Sequence, residues 1–129
     1  MAVTRDTNAA VVKPLEGAVV RRFTAGATIE AGEIVVMSSD GYVDPANTGA
    51  FATSSVLGVA VQDVASGQGV DVVTFGPVLA FTGGTPGGLV YASDTAGEPS
   101  ESVGTKDVLV GIMESATVLF VRPEFIDRS

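Results

Sequence analysis

Residues 57–81 read LGVAVQDVASGQGVDVVTFGPVLAF, an apolar run interrupted by Gln62, Asp63, Asp71 and a turn of small residues. Successive side chains of a strand point to opposite faces, so Leu57, Val59 and Val61 share one face while Gly58, Ala60 and Gln62 share the other. That is the pattern of a half-buried strand with a small-residue back. The next strand is different: Val70, Val72 and Thr74 take one face, Asp71, Val73 and Phe75 the other, and neither face is dominated by charge. A small barrel has one interior. Apolar side chains on the second face therefore predict a cover there, supplied by a loop, a terminal segment or another subunit.

Outward from this stretch the texture repeats. Sixteen glycines, abundant valine and turn residues every eight to twelve positions predict an all-β chain of short strands. The predicted strands are 17–23, 33–38, 56–64, 70–75, 78–81, 89–93, 108–114 and 117–122. Between them lie SSDG (38–41), ASGQG (65–69), GGTPGG (83–88) and DTAGEPSESVG (94–104), rich in residues that adopt positive φ or bond their own backbone.

The two halves of the chain resemble each other. AGEIVVMSSDGYVDP (31–45) matches PGGLVYASDTAGEP (86–99), and VLGVAVQDVASGQGVDVVTFGP (56–77) matches VLVGIMESATVLFVRP (108–123) with a shorter turn. Each half carries a Gly turn, a strand, an Asp and Gly turn, a Pro-bearing link and a hairpin containing Gly58 or Gly111. Neither half could bury its own apolar faces, so the expected fold is a small β-barrel or β-sandwich in which two weakly repeated halves close on each other. Residues 17–129 form this single domain. Residues 1–16 have no clear period and read as an extended N-terminal arm, which either orders on a partner by adding a strand to a sheet edge or is an ordinary frayed terminus.

Composition removes much chemistry. The 129 residues include neither cysteine nor histidine, which excludes disulfides, thiolate metal sites, a Cys nucleophile and any His-containing triad. No apolar stretch reaches the length of a membrane helix, and the N-terminus lacks a basic region followed by an apolar core, so neither membrane insertion nor export by a signal peptide is expected. The net charge is −8, a poor match to nucleic acid, which requires clustered Lys and Arg. Its distribution is uneven: residues 23–121 hold eleven acids against Lys106 alone, whereas residues 1–22 hold Arg5, Lys13, Arg21 and Arg22 against Asp6 and Glu16.

Acids are the one plentiful reactive class. Asp40 and Asp44 precede Gly41 and Pro45, and turn chemistry accounts for both without a ligand. No calcium-loop spacing occurs, and GGTPGG lacks the Lys and hydroxyl of a phosphate loop. No catalytic residue, cofactor or metal is expected. Arg21 and Arg22, beside Phe23, read either as an ordinary solvated basic pair, the commoner case, or as a contact patch for an acidic partner; Tyr42 and Tyr91 read as rim packing.

The order AGATIEAGEIVVMSSDGYVDPA (25–46), VLGVAVQDVASGQGVDVVTFGPV (56–78), GGLVYASDTAGEP (87–99) and VLVGIMESATVLFVRP (108–123) resembles the tailed-bacteriophage capsid cement, or head decoration, proteins. The resemblance spans about residues 17–123 and departs from the family at MESATVLF (113–120), where a Gly-bearing turn is reduced. It implies a β-barrel-like protein on the outer surface of the virion, made in the host cytoplasm. Such proteins are commonly homotrimers that clamp neighbouring major capsid protein subunits and stabilise the expanded head without catalysis. The candidate capsid contacts are then Thr4, Arg5, Val11, Val12, Lys13, Arg21 and Arg22, and the candidate subunit contacts Val73, Phe75, Val78 and Phe81. Two other classes compete. A glycan-binding module of a phage fibre would need exposed loop aromatics, and the chain has 6% aromatic residues and no Trp. A trimeric β-barrel hydrolase acting on a metal-bound nucleotide would need basic residues that the body lacks.

Overall fold

The computed structural model describes residues 3–8, 10–46, 56–104 and 108–125. They contain no helix, and hence none long and apolar enough to cross a membrane. The strands are β1 (Thr4–Arg5), β2 (Lys13–Pro14), β3 (Val19–Thr24), β4 (Ile34–Met37), β5 (Val43–Pro45), β6 (Val56–Ala60), β7 (Gly69–Leu79), β8 (Phe81–Thr82), β9 (Leu89–Ala92), β10 (Pro99–Ser100), β11 (Val108–Met113) and β12 (Val118–Phe125). The fold is all-β, a curled antiparallel sheet forming a half-barrel.

The sheet runs β10–β9–β11–β12–β7–β6–β4–β5. This order reads the same from either end when β4–β7 are exchanged for β9–β12, so the sequence repeat is a structural repeat whose halves meet along β7 and β12. The register agrees residue by residue. Val35 pairs with Gly58 and Val36 with Val56, leaving Leu57 bulged; Val90 pairs with Gly111 and Tyr91 with Leu109, leaving Val110 bulged. Backbone bonds tie the halves together: Ile34 N–H donates to Gly97 O at 2.9 Å, and Gly97 N–H donates to Ala46 O at 2.8 Å.

Two cores explain the valines on both parities. The larger contains Ile34, Val36, Val59, Val73, Val78, Phe81, Val110, Leu119 and Val121. The smaller, on the other face, contains Val35, Ala60, Val70 and Val72. Its cover comes from the chain itself: Ala25 and Ile29 of the segment between β3 and β4, and Val43 of β5, all at most 1% exposed. Strand β4 thus sends alternate side chains into two dry interiors, each buried valine stabilising the fold by about 1.5–3 kcal/mol.

Two departures from simple alternation have local causes. The bulge at Leu57 turns that side chain toward the smaller core with Ala60, while Val59 and Val61 pack on the larger. In β7, Gly76 adopts φ 103°, a conformation that costs other residues strain. Beyond it the inward parity changes from odd (Val73) to even (Val78), which leaves Phe75 48% exposed. The sequence predicts two strands, 70–75 and 78–81; the structure shows β7 continuing through the kink to Leu79.

The N-terminal segment is not a free arm. Thr4 and Arg5 pair with Thr82 and Phe81, Lys13 and Pro14 pair with Leu79 and Val78, and Val3 and Val12 are buried in the larger core. The segment pairs with this chain's own β8 and β7. The reduced turn of the last hairpin is closed by a side chain instead of a glycine: Ser115 Oγ accepts from Thr117 N–H at 3.3 Å and from Val118 N–H at 3.2 Å. Met113 then pairs with Leu119.

Candidate functional site

Among the described strands, β3 carries the longest run of exposed side chains. Val19, Val20, Arg21 and Arg22 are all exposed in succession, although β3 pairs with β7 along its whole length, from Val19 opposite Phe75 to Thr24 opposite Gly69. β6 occupies the other side of β7 at Val72 and Val73, and among the described residues no strand pairs with the outer side of β3, which makes it an edge strand there. Val19 and Val20 are 47% and 42% exposed, and the ring of the opposed Phe75 is braced edge-on by Phe120 with centroids 5.1 Å apart. The kink at Gly76 that exposes Phe75 therefore creates an apolar strip with a held aromatic.

Charge continues the strip. The Arg21 guanidinium lies 5.4 Å from the centroid of the Phe23 ring, a cation–π geometry. Arg22 Nη1 donates to Asp71 Oδ1 at 2.9 Å across the strand pair. Asp71 is otherwise engaged with Gln62, whose Oε1 accepts from Asp71 N–H at 3.0 Å.

The remaining candidates are placed elsewhere. Thr4 is exposed on β1, its hydroxyl 2.9 Å from that of Thr82. Val11 is 36% exposed, whereas Val12 is 6% exposed and belongs to the core. Lys13 is exposed on β2. Arg5 is not a surface contact: its side chain is 12% exposed and works as a clamp. Its Nε donates to Glu98 Oε2 at 3.0 Å, its Nη2 to Glu30 Oε1 at 2.9 Å and its Nη1 to Ala31 O at 3.1 Å. The N-terminal segment is thereby tied to both halves. Burial opposes the Arg5 charge, but Glu98 and Glu30 outweigh it and hold the guanidinium above its ordinary pKa. Next to this clamp, burial pushes the Glu33 carboxyl above the ordinary glutamate range, against the hydrogen bond from Glu30 N–H and the charge of Arg5. Sequence reasoning missed this cluster, because Arg5, Glu30 and Glu98 converge only after strand pairing.

The subunit-contact set is corrected by burial. Val73, Val78 and Phe81 are 0% exposed inside this chain's own larger core; of the four, Phe75 alone offers surface. The valines of β7 that face away from this core, Val70 and Val72, meet the chain's own Ala25 and Ile29, which removes the need for a second copy there.

Two shallow open depressions adjoin the 62–69 turn and share Asp63, Val64 and Gln68. The shared Asp63 and Gln68 are engaged in local structure: Asp63 Oδ1 accepts from Ala31 N–H at 2.7 Å and Gln68 Oε1 from Ala65 N–H at 2.9 Å. Asp40 Oδ1 caps its own turn by accepting from Tyr42 N–H at 2.9 Å, and Asp44 accepts from the Ser38 hydroxyl. Among the described residues no three acids converge as metal ligands. Neither a protein-family model nor a curated protein matches this chain.

Proposed function

We propose that this chain is a structural decoration protein of a tailed-phage head, binding the outer capsid surface and cementing neighbouring major capsid protein subunits, with no catalysis. The observation that carries the reading is the strip on β3: exposed valines, a braced aromatic and two arginines on an otherwise acidic body, a surface suited to a protein neighbour. The order of strands and turns, with its likeness to cement proteins, supports the same reading, as does a repeat-built β body that gives such a surface a rigid base.

In this role the chain acts by mass action. It binds the expanded lattice more tightly than the compact precursor and shifts the shell toward the mature state. Assembly into a homotrimer would multiply weak contacts into avidity, and the acidic exterior would limit adhesion between particles.

The test is sedimentation of the purified chain with expanded and unexpanded phage heads. Saturable binding that favours expanded heads is the expected result; failure to pellet with either form would remove the reading.

A further inference from the structure

We propose that the outer edge of β3 is a docking strand that takes an extended, acidic segment of the shell protein as an added strand of the sheet. This inference deepens the decoration reading and rests on it for the partner.

One side of β3 is hydrogen-bonded to β7, and among the described residues no strand pairs with the other side. A row of backbone donors and acceptors is thus open to an incoming chain. Side chains on both faces of β3 are exposed from Val19 to Arg22, so an added strand would find neighbours above and below the sheet. On one end these are Val19, Val20 and the braced Phe75; on the other, Arg21 and Arg22.

The charges select the occupant. Arg22 is shared with Asp71, while Arg21 sits over Phe23 with no described carboxylate within ion-pair distance. A second copy of β3 laid antiparallel on the first would bring arginines toward arginines across the strands, a destabilising arrangement. An acidic segment with β-branched or aromatic residues beside the valines is complementary to both ends. Residues 17–24 carry Arg21 and Arg22 and no acid, so the edge repels its own kind and attracts that partner.

The experiment compares wild type with Val20→Asp and Arg21→Glu in sedimentation with expanded phage heads lacking this chain, with Val103→Asp, another exposed apolar position, as control. Both β3 variants are expected to weaken binding by about tenfold or more without lowering Tm, and the control to bind as wild type. Amide hydrogen exchange of residues 19–24 is expected to slow on binding. If wild type binds and both β3 variants bind equally well, or the β3 amides exchange unchanged in the complex, the docking strand is overturned and the decoration reading stands. If Arg21→Glu disperses a self-assembled oligomer while head binding persists, the edge serves a second copy and the proposal fails. If wild type binds no heads, both fall together.

Discussion

Gly58 and Gly111 occupy the same position in the two halves: each follows a bulged residue, faces a fully buried valine on one side and lies against a carbonyl on the other. A Cβ on Gly58 would stand 1.8 Å from Val73 O, and one on Gly111 would stand 2.1 Å from Phe120 O. Backbone atoms of paired strands cannot retreat without breaking the ladder. Gly58→Ala and Gly111→Ala should each therefore destabilise by about 3 kcal/mol or prevent folding, read as a fall in Tm. A change of less than ~0.5 kcal/mol at either position would mean that the strands pack less closely than described.

Removal of residues 1–16 should unfold or strongly destabilise the body instead of merely freeing it of an arm. Val3 and Val12 are 4% and 6% exposed in the larger core, and their loss alone costs about 1.5–3 kcal/mol each. Thermal melting of the truncated chain checks this; an unchanged Tm would show that the segment is dispensable to the fold.

Arg5→Met keeps the apolar stem but deletes three hydrogen bonds, leaving Glu30, Glu33 and Glu98 without their cation. The Glu30 bond, with a carboxylate side chain 59% exposed, contributes little. The bonds to Glu98 and to the Ala31 carbonyl carry most of an expected loss of about 1–2 kcal/mol. Denaturant unfolding measures it, and the loss should narrow in high salt.

Glu33 sets a pH dependence of opposite sign to the usual carboxylate. Its folded-state pKa lies above the unfolded value because burial disfavours the charge. The folded chain therefore holds this proton more tightly, and the group's contribution to stability falls as pH rises from the ordinary value of 4.5 through the folded one. Glu33→Gln, whose side-chain oxygen still accepts from Glu30 N–H, should raise Tm at neutral pH. The difference from wild type should shrink below pH 4.5; equal Tm values across the whole range would show that the buried carboxylate carries no penalty.

Gly76→Ala meets two obstacles, a φ of 103° and Ala18 Cα at 2.9 Å from the new methyl. It should cost about 2 kcal/mol, and by straightening β7 it should reduce the exposure of Phe75. Heteronuclear shift changes confined to residues near Ala18 and Phe75, together with the drop in Tm, would check both.

Much of this architecture is local and hence readable in the chain. Alternation of apolar residues, turn glycines and the internal repeat specify short antiparallel strands and two matching halves, since each of these signals acts within a few residues along the backbone. The exposed Arg21 and Arg22 were legible for the same reason: two consecutive charges in a short strand must show at least one to solvent. Three features escaped because they depend on atoms far apart in sequence. The pairing of Thr4–Arg5 and Lys13–Pro14 with the chain's own sheet, the clamp of Arg5 on Glu30 and Glu98, and the burial of Val73, Val78 and Phe81 all follow from which strands become neighbours. A period of two fixes only that two faces exist. Which face is covered, and by which part of the chain, was decided when the 25–31 loop closed over one side of β4, β6 and β7 and Gly76 exchanged the faces of β7, leaving Phe75 on the surface.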